Sequence, residues 1–570
     1  MPITPVPRLA ESPRTFCNPL NIGYQYQAEF RSRESADPAA ILFKGIYYLF
    51  ASHGSGYWWS EDLADWHFVY VSEEMMPEIG KWAPGVCVLG DTMYLTHSQE
   101  GGIYRSEDPR TGKWEFVSHP LDWGDPALFT DEDGRVYCYY GCSPRDPIWG
   151  VELDPRNTMA AIGSPVALIR SDGERHGFEV RGDGHTEYGG ECWLEGAWMN
   201  KYEGKYYLQY AVPGTQFLSY CDGCYVSDKP LGPFTFCNNS PVIYKAGGFM
   251  GGAGHGSLLE DKNGNWWKFN TVSISINHMF ERRLIMAPAA FDSHGQLVTD
   301  TVLADYPLWR PHDPAYAFGR KRPDWFRLPP AAVTASSALP GHPAELAAEE
   351  TLRTWWSAAS GEAGEWLTFR LEEGACLRAL QINFADQEAE PIQGRENDFR
   401  YRYTVEISSD GAEWLTLIDR SEAVGAPHTA DDTSHDYFEL EEDVRGIRFL
   451  RLTNRGPVPA GGRFAVSGLR LFGNGGHAAP AAPVPVRAQR LADRRAAAFR
   501  WEPVKGAMGY VVRLGDQPDS LWLHQQVEGE TEVTLRFLNA DVEYWYAVDC
   551  YNDSGYTPGA VHKLCEEERI

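Results

Sequence analysis

A short pattern of residues recurs five times between residues 37 and 270 and constrains the fold more than any other feature of the chain. In each copy a polar or aromatic residue precedes an aromatic, strand-like segment by ten to twelve positions. The segments start at Tyr47, Tyr94, Tyr137, Tyr206 and Trp266, and their spacing of 43 to 69 residues suits a four-stranded propeller blade. The sequence therefore predicts an all-β chain that opens with a five-bladed β-propeller.

The residues that precede the five aromatic segments are Asp37, Trp82, Asp125, Glu195 and His255. The innermost strands of a propeller line its central channel, so residues in matched register converge there from distant parts of the chain. Asp-Pro and Glu-Gly pairs also begin ordinary turns, which would explain any one of these residues alone. Three carboxylates in matched register favour a functional site instead.

Two further segments show the period-2 alternation of β-strands. A stretch rich in Pro, Ala and Ser at 320–345 separates the first segment from the propeller, and a second such linker covers 473–485. We expect a propeller domain at 1–325 and β-sandwich domains at 345–474 and 486–570. A length of 570 residues agrees with several domains rather than one core.

The formal net charge of −28 argues against nucleic acid as a partner, and a neutral sugar is compatible with it. No apolar run is long enough to cross a membrane, and the start of the chain lacks the apolar segment of a signal peptide. The eleven cysteines have no regular spacing and are expected to be mostly reduced and buried. We therefore expect a cytoplasmic protein without membrane partners, with secretion after removal of a leader as the alternative.

Hydrolysis of a glycosidic bond needs one carboxylate that activates water and one carboxylic acid that protonates the leaving oxygen. A third carboxylate beside the acid raises the pKa of that acid, because like charges disfavour ionisation. Asp37, Asp125 and Glu195 supply three such groups. Carboxyl groups on different blades leave room for a water between them, so inversion of configuration is the expected outcome.

Residues 16–300 resemble glycoside hydrolase family 43. The matching motifs are N-P-L at 18–20, A-D-P-A-A at 36–40, W-A-P at 82–84, D-P-A-L-F-T-D-E-D-G at 125–134, E-G-A-W at 195–198 and G-H-G-S at 254–257. The resemblance implies an inverting enzyme with Asp37 as general base, Asp125 as the group that modulates the pKa of the acid, and Glu195 as general acid. It also implies that Arg282 contacts the sugar and that the chemistry needs no cofactor.

The same resemblance places His255 near the centre of the channel, close to a bound calcium or its waters, so His255 is the expected metal ligand. Glu191 competes with Glu195 for the role of the acid because it lies four residues earlier, but the register favours Glu195. The aromatic residues expected to stack on a sugar ring are Trp82, Trp123 and Tyr188, although single aromatic residues more often belong to a core.

The 345–474 segment resembles the factor 5/8 type C, or discoidin, fold that many carbohydrate-binding modules share. The matching motifs are T-W-W-S at 354–357, W-L-T-F-R-L at 366–371 and Y-T-V-E-I-S-S-D-G at 403–411. A fold alone does not establish sugar binding. The 486–570 segment resembles a fibronectin type III domain through Trp501 and Y-W-Y-A-V at 544–548, and a spacer role is expected for it.

These observations together favour an exo-acting, inverting glycosidase that removes a terminal pentose from plant-type oligosaccharides. The expected pentose is α-L-arabinofuranose or β-D-xylose. The alternatives are a β-galactofuranosidase or β-galactosidase on the same fold, and a non-catalytic propeller that only binds carbohydrate.

Overall fold

The computed structural model describes residues 2–27, 32–77, 79, 81–99, 101–390, 400–423 and 434–565. Their regular structure is β-strand apart from short 3-10 turns at Pro109–Thr111, Gly177–Glu179, Ala344–Ala348 and Pro459–Gly461. Within these ranges no helix has the length and apolar character needed to cross a membrane. The expected all-β fold class is confirmed.

Five four-stranded antiparallel sheets, each formed by consecutive strands, follow one another along the chain as blades one to five. The strands are Ala36–Phe43, Ile46–Ser52, Gly56–Ser60 and His67–Tyr70 in blade one; Gly85–Leu89, Thr92–Thr96, Ile103–Ser106 and Glu115–Ser118 in blade two; Ala127–Thr130, Val136–Tyr140, Ile148–Asp154 and Ala160–Ile169 in blade three; Glu195–Tyr202, Lys205–Val212, Cys221–Ser227 and Thr235–Phe236 in blade four; and Gly251–Glu260, Trp266–Ser273, Arg282–Phe291 and Leu297–Thr299 in blade five. The first strand of each blade contacts the first strand of the next, and blade five contacts blade one, so the sheets close into the predicted five-bladed ring.

Blades five and one meet through hydrogen bonds from the backbone of one blade to side chains of the other. The backbone N–H of Asp37 donates to Thr271 Oγ1 at 2.8 Å, and that of Ala40 donates to Ser257 Oγ at 2.9 Å. The closing contact of the ring therefore lies at Asp37 itself. Two small strand pairs accompany the ring, namely Thr15–Phe16 with Leu308–Trp309 and Gln25–Gln27 with Ser32–Glu34.

A two-sheet sandwich follows the propeller. One sheet contains Phe326–Arg327, Trp356–Ser357, Cys376–Phe384, His435–Arg445 and Ala465–Asn474, and the other contains Ala332–Ala335, Trp366–Arg370, Tyr403–Ser408, Leu415–Asp419 and Phe449–Asn454. Its strands begin at Phe326, ahead of the expected domain start at residue 345. The beginning of the chain also lies against this sandwich, because Thr4 pairs with Arg445 and Leu9 pairs with Leu440.

The C-terminal module is a second sandwich. Its sheets contain Val486–Arg490, Ala497–Trp501 and Glu532–Leu535 on one side, and Gly509–Gly515, Leu523–Glu528, Trp545–Tyr551, Tyr556–Thr557 and His562–Lys563 on the other. This module shares one hydrophobic core with the propeller. The rings of Tyr244 and Phe537 lie 4.6 Å apart, and Gly177 N donates to Leu538 O at 2.9 Å. A Cβ at Gly177 would lie only 2.3 Å from a carbonyl oxygen of the module, so the two surfaces are in direct contact at this point. A spacer would not share a core with its neighbour, so the expected spacer role is wrong: the C-terminal module packs into one hydrophobic core with the propeller.

Replacement of Phe537 by Ala should destabilise the propeller as well as the C-terminal module. Phe537 is 1% exposed in the shared core, and truncation of a buried Phe costs about 3 kcal/mol or more. Urea unfolding followed by tryptophan fluorescence measures the loss. Phe116→Ala is the matched control, because Phe116 is 55% exposed and its truncation should change the free energy of unfolding by about 0.5 kcal/mol or less. Equal effects of the two substitutions would contradict a shared core.

Candidate active site

The centre of the propeller holds a cavity of about 570 Å³. Its lining includes all five residues of the repeated register, Asp37, Trp82, Asp125, Glu195 and His255. Arg282, from the third strand of blade five, lines it as well. The structure thus brings side chains from all five blades into one site, as the register predicts.

The same backbone conformation recurs near the start of the inner strand in blades one to four, and within the inner strand of blade five. Left-handed φ angles occur at Asp37 (55°), Ala83 (40°), Asp125 (46°), Gly196 (60°) and His255 (44°). Glycine adopts this region freely, and Asp and His tolerate it better than most L-residues, so four of the five positions, all but Ala83, carry residue types that accept it. The kink recurs at, or directly after, the five residues that line the cavity.

Asp37 is buried and surrounded by groups that favour its charged form. Ser52 Oγ donates to Asp37 Oδ2 at 2.6 Å, and Arg282 NH1 and His255 Nδ1 lie 3.3 Å and 3.2 Å from Oδ1. Burial raises the pKa of Asp37, but Arg282, His255 and Ser52 outweigh burial and the net shift is downward. Asp37 is therefore an ionised carboxylate that can accept a proton.

Glu195 is buried in surroundings that favour its protonated form. Burial and the Asp125 carboxylate raise the pKa of Glu195 to about 7. Tyr220 Oη donates to Glu195 Oε1 at 2.6 Å, and the Cys142 thiol donates to Oε2 at 3.5 Å. Burial also raises the pKa of Asp125, which accepts a hydrogen bond from Ser98 Oγ at 3.3 Å. Glu195 therefore retains a proton to higher pH than an ordinary glutamate.

His255 bridges two carboxylates. Its Nδ1 lies 3.2 Å from Asp37 Oδ1 and 3.7 Å from Asp125 Oδ2. Calcium takes six to eight oxygen ligands, whereas His255 offers a nitrogen. The two carboxylates beside that nitrogen already have other partners, since Arg282 contacts Asp37 and Ser98 contacts Asp125. Among the described residues, the set of three side chains close enough to hold a metal is Asp125, Cys142 and Glu195, which excludes His255. The donor set at His255 does not fit a directly bound calcium ion.

Gly196 explains the close approach of His255. A Cβ at this position would lie 2.7 Å from His255 Cγ, and its φ of 60° is one that glycine adopts without strain. The Glu-Gly pair of blade four thus lets the imidazole pack directly against the strand that carries Glu195.

Several residues of the site lie outside the register and were not predicted from the sequence. Glu34 is buried behind Arg282, with its Oε1 3.5 Å from Arg282 NH2 and 3.2 Å from His53 Nδ1. Burial raises the pKa of Glu34 to about 7 in spite of Arg282. Glu34, Tyr220 and Cys142 follow no repeated spacing, so the sequence gave no signal for them.

Two of the expected aromatic contacts do not reach the cavity. Trp123 is 2% exposed and lies in the core between blades two and three, where its Nε1 donates to Thr96 Oγ1 at 3.2 Å. Tyr188 is 52% exposed and contacts Arg495 of the C-terminal module instead. Trp82 does line the cavity, and its ring lies 5.2 Å from that of Phe280. Neither Trp123 nor Tyr188 is placed to stack on a sugar in the channel.

The loop at 181–193 forms one wall of the cavity through Arg181, Glu191 and Trp193. Both C-terminal modules contact it. Arg353 of the first sandwich lies 3.3 Å from Asp183, and Arg495 of the second lies 5.2 Å from the centre of the Tyr188 ring. The sandwiches therefore help to fix the cavity wall. Glu191, the competing acid, lies half-exposed at this rim and accepts a 2.6 Å hydrogen bond from Arg145.

The channel of the propeller buries one ionised carboxylate, one carboxyl group with a raised pKa and an arginine. Glycoside hydrolases use such a pair of carboxyl groups for catalysis. Comparison with known families agrees. Residues 30–296 match the model of Glycosyl hydrolases family 43, and residues 332–465 match the F5/8 type C domain. The protein is a glycoside hydrolase whose propeller is a family 43 domain and whose first sandwich is an F5/8 type C domain. The likeness of residues 486–570 to fibronectin type III stays a prediction.

Relatives match just under half of this chain over nearly their own full length. The chain is 28% identical over 338 residues to Xylosidase/arabinosidase 43A of Humicola insolens, a match spanning 47% of this chain and 96% of the relative. It is 26% identical over 334 residues to Beta-xylosidase of Xylanibacter ruminicola, spanning 47% of this chain and 98% of the relative. A solved structure titled Glycoside hydrolase matches with a TM-score of 0.45 and 16% identity, covering 79% of this chain and 99% of the other.

Replacement of Glu195 by Gln should stabilise the folded protein in a pH-dependent manner. The folded state raises the pKa of Glu195 from 4.5 to about 7, so ionisation destabilises the native state progressively as pH rises through that window. The advantage of the variant over wild type should grow from pH 4.5 to 7 and level off above, at on the order of 2 kcal/mol. Urea unfolding at a series of pH values measures it.

Glu191→Gln is the control for this experiment, because Glu191 is half-exposed at the rim and should give no such pH-dependent difference. A Glu195→Gln effect of the same size at pH 4 and pH 8 would show that Glu195 titrates normally in the folded protein.

Proposed function

We propose that this protein is an exo-acting, inverting glycosidase that removes a terminal pentose, α-L-arabinofuranose or β-D-xylose, from plant-type oligosaccharides. Asp37 acts as the general base that activates water, and Glu195 acts as the general acid that protonates the leaving oxygen. Asp125 raises the pKa of Glu195 through its charge. Arg282 and Trp82 contact the sugar.

The observation that carries the proposal is the opposite electrostatic environment of two carboxyl groups in one cavity. Arg282 and His255 hold Asp37 in its charged form, whereas burial and Asp125 favour the protonated form of Glu195. Glycoside hydrolysis needs this pair of protonation states at the same pH. The relatives named xylosidase/arabinosidase and beta-xylosidase support a pentose as the sugar.

A panel of 4-nitrophenyl glycosides tests the proposal. The panel contains the α-L-arabinofuranoside, β-D-xyloside, β-D-galactofuranoside and β-D-galactopyranoside, and each is assayed with wild type, Asp37→Asn and Glu195→Ala. We expect turnover of a pentoside and its loss by about a hundredfold or more in Asp37→Asn, because water then lacks its base. Preferential turnover of a galactoside would support the alternative on the same fold.

The leaving group separates the two roles. 4-Nitrophenolate departs without full protonation, so Glu195→Ala should be impaired far more, by about 10²–10⁴-fold, on xylobiose or an arabino-oligosaccharide than on the nitrophenyl pentoside. Asp37→Asn should be impaired on both. An equal loss in Glu195→Ala on both kinds of substrate would contradict its role as the acid.

The stereochemical outcome tests the mechanism independently of the mutants. If Asp37 activates water directly, the first product seen by proton NMR carries the opposite anomeric configuration to the substrate, before mutarotation. Initial formation of the anomer with the substrate's configuration would mean a covalent intermediate, and Asp37 would then act as nucleophile. Glu191→Gln serves as the control protein, since a rim carboxylate should leave the outcome unchanged.

A further inference from the structure

Cys142 lies just after the second strand of blade three and lines the cavity together with Asp125 and Glu195. All eleven cysteines lie in described residues, and none of them is disulfide-bonded. Cys142 is the exposed member of the set, whereas eight are buried and two are partly buried. It is also the cysteine that contacts a proposed catalytic side chain.

The two oxygens of the Glu195 carboxyl group receive very different donors. Among the described residues, Oε1 accepts a 2.6 Å hydrogen bond from the Tyr220 phenol, and the donor to Oε2 is the Cys142 thiol at 3.5 Å. A thiol is a weak donor and its sulfur is a weak acceptor. Since the phenol occupies Oε1, a proton carried by Glu195 lies on Oε2, beside the sulfur.

The sulfur has two further contacts, and one of them is the Asp125 carboxylate, a second acceptor for the thiol. The indole Nε1–H of Trp193, on the cavity wall, donates to Cys142 Sγ at 3.3 Å. Two successive hydrogen bonds, from Trp193 to Cys142 and from Cys142 to Glu195, therefore connect the rim to the carboxyl group at the centre. Trp193, at the rim, is 41% exposed. The residue is exposed to the cavity, but desolvation of its sulfur and the carboxylates of Asp125 and Glu195 raise the pKa of the Cys142 thiol, so the thiol stays protonated as a donor.

We propose that Cys142 is a positioning residue for the acid: it fixes the Glu195 carboxyl through a weak contact on Oε2, and so leaves the proton on that oxygen free to transfer to the glycosidic oxygen. The inference rests on the proposed role of Glu195 as the acid. A serine hydroxyl at this position would hold the Glu195 carboxylate too strongly, and an alanine would not hold it. The charged and titratable groups that face Glu195 from the surrounding strands are Asp37, Asp125, Cys142, Tyr220 and His255.

The pH dependence of kcat/KM for Cys142→Ser and Cys142→Ala, measured on xylobiose or the best oligosaccharide of the panel, tests the inference. The serine hydroxyl stabilises the Glu195 carboxylate more than the thiol does, so the alkaline limb of the Cys142→Ser profile should move down by about one pH unit. In Cys142→Ala the alkaline limb should stay at the wild-type pH or move to higher pH. Its kcat should fall by about tenfold with KM little changed, because the Glu195 carboxyl group loses its orientation. Both losses should be smaller on the nitrophenyl glycoside.

Cys237→Ser is the matched control, because Cys237 is a partly exposed thiol of blade four that does not line the cavity, and its profile should match wild type. Superimposable profiles of wild type, Cys142→Ser and Cys142→Ala would overturn the inference, as would equal losses on both substrates. The unfolding experiment gives a readout without substrate: Cys142→Ser should reduce the loss of stability between pH 4.5 and 7 that Glu195 causes.

Glu195→Ala separates this inference from the proposed function. If Glu195→Ala keeps activity on the oligosaccharide, the role of Glu195 as the acid fails and the inference fails with it. If Glu195→Ala loses that activity while both Cys142 variants behave as wild type in kinetics and unfolding, only the role of Cys142 is refuted.

Discussion

The site is governed by a shortage of positive charge. Four buried carboxyl groups, Asp37, Asp125, Glu195 and Glu34, share Arg282 and the imidazole of His255. Desolvation of a charged group costs several kcal/mol unless a partner compensates, so simultaneous ionisation of the four carboxyl groups is strongly disfavoured. Arg282 contacts Asp37, whereas the strongest charge acting on Glu195 is the neighbouring carboxylate of Asp125. The position of one guanidinium thus distinguishes the proposed base from the proposed acid.

The carboxyl groups lie close together because the propeller brings the inner strands of its five blades to one central axis. Four non-glycine residues of the inner strands or their approaches, Asp37, Ala83, Asp125 and His255, hold left-handed φ angles that the surrounding sheets maintain, and such strain is found at functional sites. The ring closes by the hydrogen bond from Asp37 N to Thr271, so the residue proposed as base also belongs to the contact between the first and last blades. Stability of the ring and geometry of the site are therefore linked.

The two sandwiches extend that linkage to the rim. The cavity wall at 181–193 lies between them, held through Asp183 and Tyr188. The C-terminal sandwich shares its core with blades three and four, which form the part of the ring that carries Asp125 and Glu195. A module expected from its sequence to be a spacer is thus part of the support of the active site.

The sequence by itself determined the all-β class, the number of blades and the five residues of the channel, because strand periodicity and register are local properties that repeat. It did not indicate Glu34, Tyr220 or Cys142, since their importance comes from partners 25 to 248 residues away. It likewise suggested Trp123 and Tyr188 as sugar contacts, but Trp123 is buried in a core, Tyr188 contacts Arg495, and neither lines the cavity. Only the tertiary structure decided which carboxyl group holds a proton, because that depends on distances between charges on different blades.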